Sequence, residues 1–170
     1  LFRSGKGGVA EQLEAGKRFF GRKYPNMKYL AYFQSYTNTY SSLDHLVALY
    51  EEALATPDVV GLVVATRPDC VDEEVLDYLA EVNQRTFVAI EYGVESTLDK
   101  TLERVHRGHT FAEAEKAIYA TTARGITVGA HLIIGLPGEA YSDFELHIDR
   151  LASLPITTLK MHQLQIQIGR

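Results

Sequence analysis

Five short runs of branched and aromatic residues recur along the chain, each after a stretch with helical spacing. This alternation limits the possible folds more than any other feature. The runs are LAYFQ at 30–34, VVGLVVA at 59–65, TFVAIEY at 86–92, ITVGAHLII at 126–134 and TLKMHQLQI at 158–166. Each is bounded by polar residues or by Gly and Pro, as strands are. Between the first two, Leu43, Leu46, Val47, Tyr50 and Leu54 form one apolar helical stripe. Ser41 with Asp44, Thr110 with Glu113 and Ser142 with Glu145 pair a hydroxyl with a carboxylate three residues on, the spacing at which each satisfies a free amide at a helix start. Tyr141 and Leu146 add a hydrophobic staple to the last of these. Asp72 is placed to cap a helix carrying Val75, Leu76, Leu79 and Val82, while Gly21 and Gly125 suit left-handed stops after helices ending at Phe20 and Arg124.

Strand then helix, repeated roughly every 30 residues, is the βα unit of a parallel sheet. VVGLVVA and ITVGAHLII are almost continuously apolar, as strands covered on both faces are. Polar residues gather after the strands, in QSYTNTY (34–40), TRPDC (66–70), EYGVES (91–96), GLPGE (135–139) and the His162, Gln163, Gln165 stretch. Helix-to-strand connections such as ATPD at 55–58 are plain. In parallel barrels the C-terminal rim carries the active site. The asymmetry therefore predicts a whole or partial (β/α) barrel with one shared site, and one domain over residues 1–170.

Composition narrows the chemistry. Lys+Arg 17 against Asp+Glu 22 gives a net charge of -5, so no global basic field draws nucleic acid or an anionic membrane. Cys70 is the only cysteine, which rules out an intrachain disulfide and a cysteine metal cluster built from these residues alone. No apolar run approaches the roughly 20 residues that span a bilayer, and a cytoplasmic setting is expected. The chain opens on Leu1 without an initiator methionine and closes on Ile168-Gly169-Arg170 just after a strand-like run. It is therefore expected to be part of a longer protein.

The loops, taken together, carry a resemblance. Tyr32 to Tyr40 (YFQSYTNTY), Ala65 to Cys70 (ATRPDC), Glu91 to Ser96 (EYGVES), Arg107 to His109 (RGH) and His131 to Glu139 (HLIIGLPGE) resemble, in order, the pattern of the radical S-adenosylmethionine (SAM) enzymes. The likeness is to the uncharacterised bacterial elongator-like group and runs from about Val9 to Ile168. It implies an α/β partial (β/α)6 TIM-like barrel, a 4Fe-4S cluster on a CxxxCxxC loop after the first strand, and reductive cleavage of SAM to a 5′-deoxyadenosyl radical. It also implies an electron donor such as a flavodoxin or ferredoxin, with no membrane partner. RNA is one conceivable substrate class for elongator-like proteins, although the acidic charge does not encourage it. No CxxxCxxC stands in this sequence, so the first strand and cluster loop are expected to be incomplete here, with the cluster cysteines upstream.

The same resemblance assigns SAM-binding roles. Gln34, Ser35, Tyr36, Thr37 and Asn38 occupy the place of the family's glycine-rich motif, which receives the methionyl ammonium. Glu95 and His131 match positions that bind the ribose diol in oxygen-independent coproporphyrinogen oxidases. Arg107, twelve residues after Glu95, matches the arginine on the SAM carboxylate, and its fork geometry suits that task. Ile133, Gly135, Leu136 and Pro137 would flank adenine. No catalytic residue is assigned.

Plainer readings stand beside these. Residues 34–37 also read as a loop leading to the Ser41 cap, His131 as a core histidine bonded to a neighbouring strand, and Arg107 as an exposed residue before Thr110. Glu91 is either a second polar wall or a partner of Arg67. Cys70 reads as a small buried thiol and not as a nucleophile. Tyr24, Tyr29, Tyr32, Tyr36 and Tyr40 read as core and rim packing more readily than as a base-stacking platform. At the level of function, a cluster-free SAM- or nucleotide-binding module or scaffold and an ordinary acid-base barrel enzyme using Glu91, His131 and Cys70 are the alternatives.

Overall fold

The computed structural model describes residues 7–23, 26–34 and 37–165. The elements run α1 Val9–Gly21, β1 Tyr29–Phe33, α2 Leu43–Ala55, β2 Val59–Thr66, α3 Glu73–Asn83, β3 Phe87–Glu95, α4 Asp99–Arg104, α5 Phe111–Thr122, β4 Thr127–Ile134, α6 Asp143–Ala152 and β5 Thr158–Gln163. A single 3-10 turn at Pro68–Cys70 precedes α3. The strands lie side by side in chain order, all parallel, and form a curled α/β half-barrel. Five of the six strands of the expected barrel are thus among the described residues.

Side-chain alternation divides the sheet into two unlike faces. Ala31, Leu62, Val64, Val88, Ile90, Tyr92, Val128, Ala130 and Leu132 are all 0% exposed and belong to one core cluster. That cluster also takes in Leu46 and Tyr50 of α2, Leu76 and Leu79 of α3, and Ala114 and Ile118 of α5. Burying such side chains stabilises the fold by about 1.5–3 kcal/mol each, so the helix-covered face holds the sheet together. The concave face carries Tyr32, Glu91, His131 and Lys160. Here His131 pairs in register with Gly93 and Lys160, and Glu91 with Ala65 and Gly129.

Several helix ends follow the sequence reading. The Asp72 carboxylate accepts from Val75 N at 2.9 Å, and Thr110 with Glu113 completes a capping box. Gly125 adopts φ 73° after α5, which ends at Thr122 and not Arg124. Other ends differ. The N-cap of α2 is Ser42, not Ser41, and its side chain makes no cap bond. Ser142 takes helical angles, which turn its hydroxyl away from the cap role; Asp143 Oδ2 instead accepts from Ala140 N at 2.8 Å. The expected staple does not form, since Tyr141 is 93% exposed. Gly21 is the last residue of α1, and its φ is not positive. Among the described residues no helix is long and apolar enough to cross a membrane.

Candidate functional site

At the C-terminal ends of the strands lies a hollow of ≈ 340 Å³, lined by Gln34, Thr37, Arg67, Glu91, Gly93, Glu95, Arg107 and His131 among others. The volume falls within the roughly 300–1,000 Å³ typical of small-molecule sites. Five of the sequence-predicted site residues, Gln34, Thr37, Glu95, Arg107 and His131, therefore share one cavity.

The end of β3 is built irregularly. Register shifts between Gly93 and Glu95, and Glu95 itself adopts φ 65°. A bulge of this kind re-aims a side chain at a sheet end, and a non-glycine residue held left-handed is a form of strain that gathers at functional sites. Arg107 returns to the same point from α4. That helix stops with His106 at φ 53°, where His106 N bonds Glu103 O at 3.0 Å and Arg107 N bonds Leu102 O at 2.9 Å, the paired bonds of a Schellman stop. Arg107 Nη2 then donates to Gly93 O at 3.2 Å and stands 3.1 Å from Glu95 Oε1. A Cβ on Gly93 would lie 2.5 Å from Arg107 Nη2 and 2.6 Å from Glu95 Oε1, so only glycine leaves room for this pair. Burial pushes the Glu95 carboxyl above its ordinary value, against the opposing pull of Arg107, His131 and His162. Arg107 Nε is buried and has no hydrogen-bond partner among the described residues.

Deeper on the concave face, Glu91 gathers donors from three other strands. Tyr32 OH donates to its Oε2 at 2.7 Å, Lys160 Nζ reaches both carboxylate oxygens at 2.7 Å, and His131 Nε2 lies 2.9 Å from Oε2. The Lys160 ammonium also sits 4.7 Å from the centre of the Tyr32 ring, within cation–π range. Burial alone would raise Glu91, but the bonds from His131, Lys160 and Tyr32 outweigh it and hold the carboxyl at about 2. Burial, with the bond to Glu91, pushes the Tyr32 phenol upward. Glu91 is thus both a wall of the hollow and an ion-pair partner, but of Lys160. Arg67 is paired with Asp69 at 2.5 Å. Sequence reasoning assigned Lys160 no role and read Tyr32 as packing. His131 is bonded to a neighbouring strand, as its plainer reading held, and it also lines the hollow.

Other predicted residues stand elsewhere. Asn38 Nδ2 donates to Phe33 O at 3.0 Å and Ala65 O at 2.7 Å, tying the ends of β1 and β2. Ile133, Gly135, Leu136 and Pro137 do not line the hollow; Ile133 pairs with His162 beyond His131 on β4. Ser35 and Tyr36 lie outside the described residues. Glu139 of the GLPGE loop accepts from Ser96 Oγ at 2.5 Å and stands 3.3 Å from His147 Nε2. The Cys70 thiol is pushed up by burial and by Asp69, which does not suit a nucleophile. Among the described residues no group of three His, Cys, Asp or Glu side chains is arranged to hold a metal.

The sequence matches the profile of the Radical SAM superfamily over residues 7–151. Protein YhcC of Escherichia coli (strain K12) is 38% identical over 162 residues, covering 95% of this chain and 52% of that protein. The chain thus spans about half the length of this curated relative. Among solved structures, the Elp3 of the archaeon Methanocaldococcus infernus with N-terminal residues 1–46 deleted superimposes with a TM-score of 0.73 at 18% identity, covering 95% of this chain and 42% of that one. Coproporphyrinogen III oxidase (HemN) of Escherichia coli, described as a radical SAM enzyme, gives a TM-score of 0.67 at 17% identity, covering 92% and 37%. At these identities the structural likeness shows the fold, whereas the profile match spans most of the sequence: the chain belongs to the Radical SAM superfamily.

Proposed function

We propose that the hollow at the strand ends binds S-adenosylmethionine, and that the protein is a radical SAM enzyme. One observation carries this reading: Arg107, Glu95 and His131 line a single cavity, where the guanidinium has a buried Nε–H without a partner among the described residues. A zwitterionic amino acid joined to a ribose diol asks for such a set, one forked cation and two acceptors. In this assignment Arg107 takes the SAM carboxylate, and Glu95 and His131 accept from the ribose hydroxyls. Gln34 and Thr37, with Ser35 and Tyr36, hold the ammonium end, and Asn38 steadies the loop through Phe33 O and Ala65 O. Adenine extends out of the hollow along Ile133, Gly135, Leu136 and Pro137, which lie beyond its lining on the same strand as His131 and on the turn after it.

Cys70 is the only cysteine of the chain, so these residues do not fit a 4Fe-4S cluster, whose ligands are proposed to lie in the remainder of the protein. Such a cluster, fed by a flavodoxin or ferredoxin in a cytoplasmic setting, would supply the electron for reductive cleavage of SAM. The part played by this chain is to bind, orient and shield the cofactor; the cofactor carries the difficult chemistry.

Anaerobic iron-sulfide reconstitution of the full-length protein, reduction in the presence of SAM and chromatography for 5′-deoxyadenosine test the activity. Absence of that product with the cluster spectroscopically present would reject it. Calorimetric titration of SAM into Arg107→Ala and His131→Ala proteins tests the site, and unchanged affinity in both would reject the assignment.

A further inference from the structure

The carboxylate of Glu91 forms part of the wall of the hollow and is engaged by donors from three strands. We propose that Glu91 is a positioning residue that holds the His131 ring in the tautomer protonated at Nε2, leaving Nδ1 as the acceptor offered to a hydroxyl of the ligand in the hollow. The inference rests on reading that hollow as an adenosyl-ligand site.

The argument begins with the inventory of hydrogen-bonding groups. An ionised carboxylate accepts and has no proton to give. Tyr32 OH, Lys160 Nζ and His131 Nε2 all point at Glu91 within 2.7–2.9 Å, so the ring nitrogen facing it carries a hydrogen. An uncharged imidazole has only one N–H, and the bond made by one nitrogen sets the state of the other. Nδ1 is then a bare lone pair, and it makes no hydrogen bond among the described residues. A charged ring would turn Nδ1 into a donor and set two cations, Lys160 and His131, against one carboxylate.

The other charged and titratable groups around the ring fit this arrangement. From β5, His162 stacks obliquely with ring centres 5.3 Å apart. At the end of β3, Glu95 is already paired with Arg107 at 3.1 Å. The hollow therefore presents two acceptors, Glu95 and His131 Nδ1, and a vicinal diol has two hydroxyl hydrogens to give. Lys160 serves this purpose indirectly, by keeping Glu91 ionised and fixing its plane through both carboxylate oxygens.

The test uses the full-length protein labelled with ¹⁵N-histidine. Long-range ¹H–¹⁵N correlation spectra, with His131 assigned by its loss in His131→Gln, should show protonated Nε2 and bare Nδ1 before any ligand is added. In Glu91→Gln the amide can donate or accept, so the spectrum should show mixed tautomers and SAM should bind roughly five- to tenfold more weakly, the worth of one hydrogen bond. Tyr32→Phe removes a donor from Glu91 but leaves the His131 contact, and should keep both tautomer and affinity. Should Glu91→Gln fail to fold, Glu91→Asp withdraws the carboxylate from His131 while keeping a charge for Lys160, with the same expectation. A proton on Nδ1 in the unmodified protein, or mixed tautomers there, overturns the proposal. So does unchanged SAM affinity once the tautomer is released. A protein that does not bind SAM at all refutes the ligand reading instead, because the tautomer is read without ligand.

Discussion

Arg107 Nη2 stands 3.1 Å from Glu95 Oε1 across the bulged end of β3, so the two groups proposed for opposite ends of one ligand are in direct contact. The pair answers a problem created by burial. Glu95 is pushed above its ordinary 4.5 by desolvation, and Arg107 is the first of the charges opposing that push. Within the window from 4.5 up to the raised value the folded state binds more protons than the unfolded one, so stability falls as pH rises.

Replacing Arg107 by Gln should widen that window. The urea midpoint of the variant at pH 8, relative to pH 5, should drop further than in the unmodified protein. SAM affinity should fall roughly ten- to a hundredfold, the range for a lost charge-assisted bond. Parallel pH series of urea melts and calorimetry read the two effects separately.

Gly93→Ala should separate stability from binding. The added Cβ meets the tips of Arg107 and Glu95 at 2.5 and 2.6 Å, and both tips can swing aside, so the thermal midpoint should change little. The arrangement of the pair in the hollow cannot survive that swing. A SAM dissociation constant raised by at least roughly tenfold, about 1.4 kcal/mol, with a near-native melting curve is the expected outcome.

Glu91 governs the acid side. Its carboxyl is held at about 2 against an ordinary 4.5, so its contribution to stability is present above 4.5 and is lost as pH falls towards 2. Glu91→Gln should lower stability at pH 7 and flatten the acid limb between those values. Circular dichroism during acid titration checks this.

Much of this site was legible because parallel strands bring their C-terminal ends together whatever lies between them in sequence. Glu95 and His131 stand at neighbouring strand ends for that reason, whereas Arg107, which follows α4, was grouped with them by the family resemblance; the strands themselves showed in runs such as VVGLVVA. What the sequence hid was the concave face one layer down. Lys160 sits in TLKMHQLQI, whose alternation is also that of a half-solvated edge strand, and its partner Glu91 is 69 residues away. The contact of Glu91 with His131 depends on register, since His131 pairs directly with Gly93 and not with Glu91. Helix starts failed where a neighbour offered a competing bond, as Asp143 does for Ser142.

Asn38 was grouped with the cofactor contacts, yet its amide is engaged by the carbonyls of Phe33 and Ala65. Asn38→Ala should therefore act on stability, leaving two strand-end acceptors short of a donor at a loss of about 1–2 kcal/mol. A urea midpoint that does not move would show that these bonds hold nothing in place.

The GLPGE turn carries its weight through Glu139, whose side chain is 5% exposed. It accepts from Ser96 Oγ at 2.5 Å and faces His147 Nε2 at 3.3 Å, while His147 Nδ1 meets Thr97 Oγ1 at 2.8 Å. The turn after β4 is thereby pinned to the residues that follow the Glu95 bulge and to α6. Glu139→Ala takes from the buried Ser96 hydroxyl the acceptor for its hydrogen and removes the carboxylate facing His147, which costs about 1–3 kcal/mol. Because the pinned turn is also the one along which adenine is proposed to extend beyond the hollow, the variant should lose SAM affinity together with thermal stability. Glu139→Gln, which keeps an acceptor for Ser96, should recover most of both, as paired melting and calorimetry would read directly.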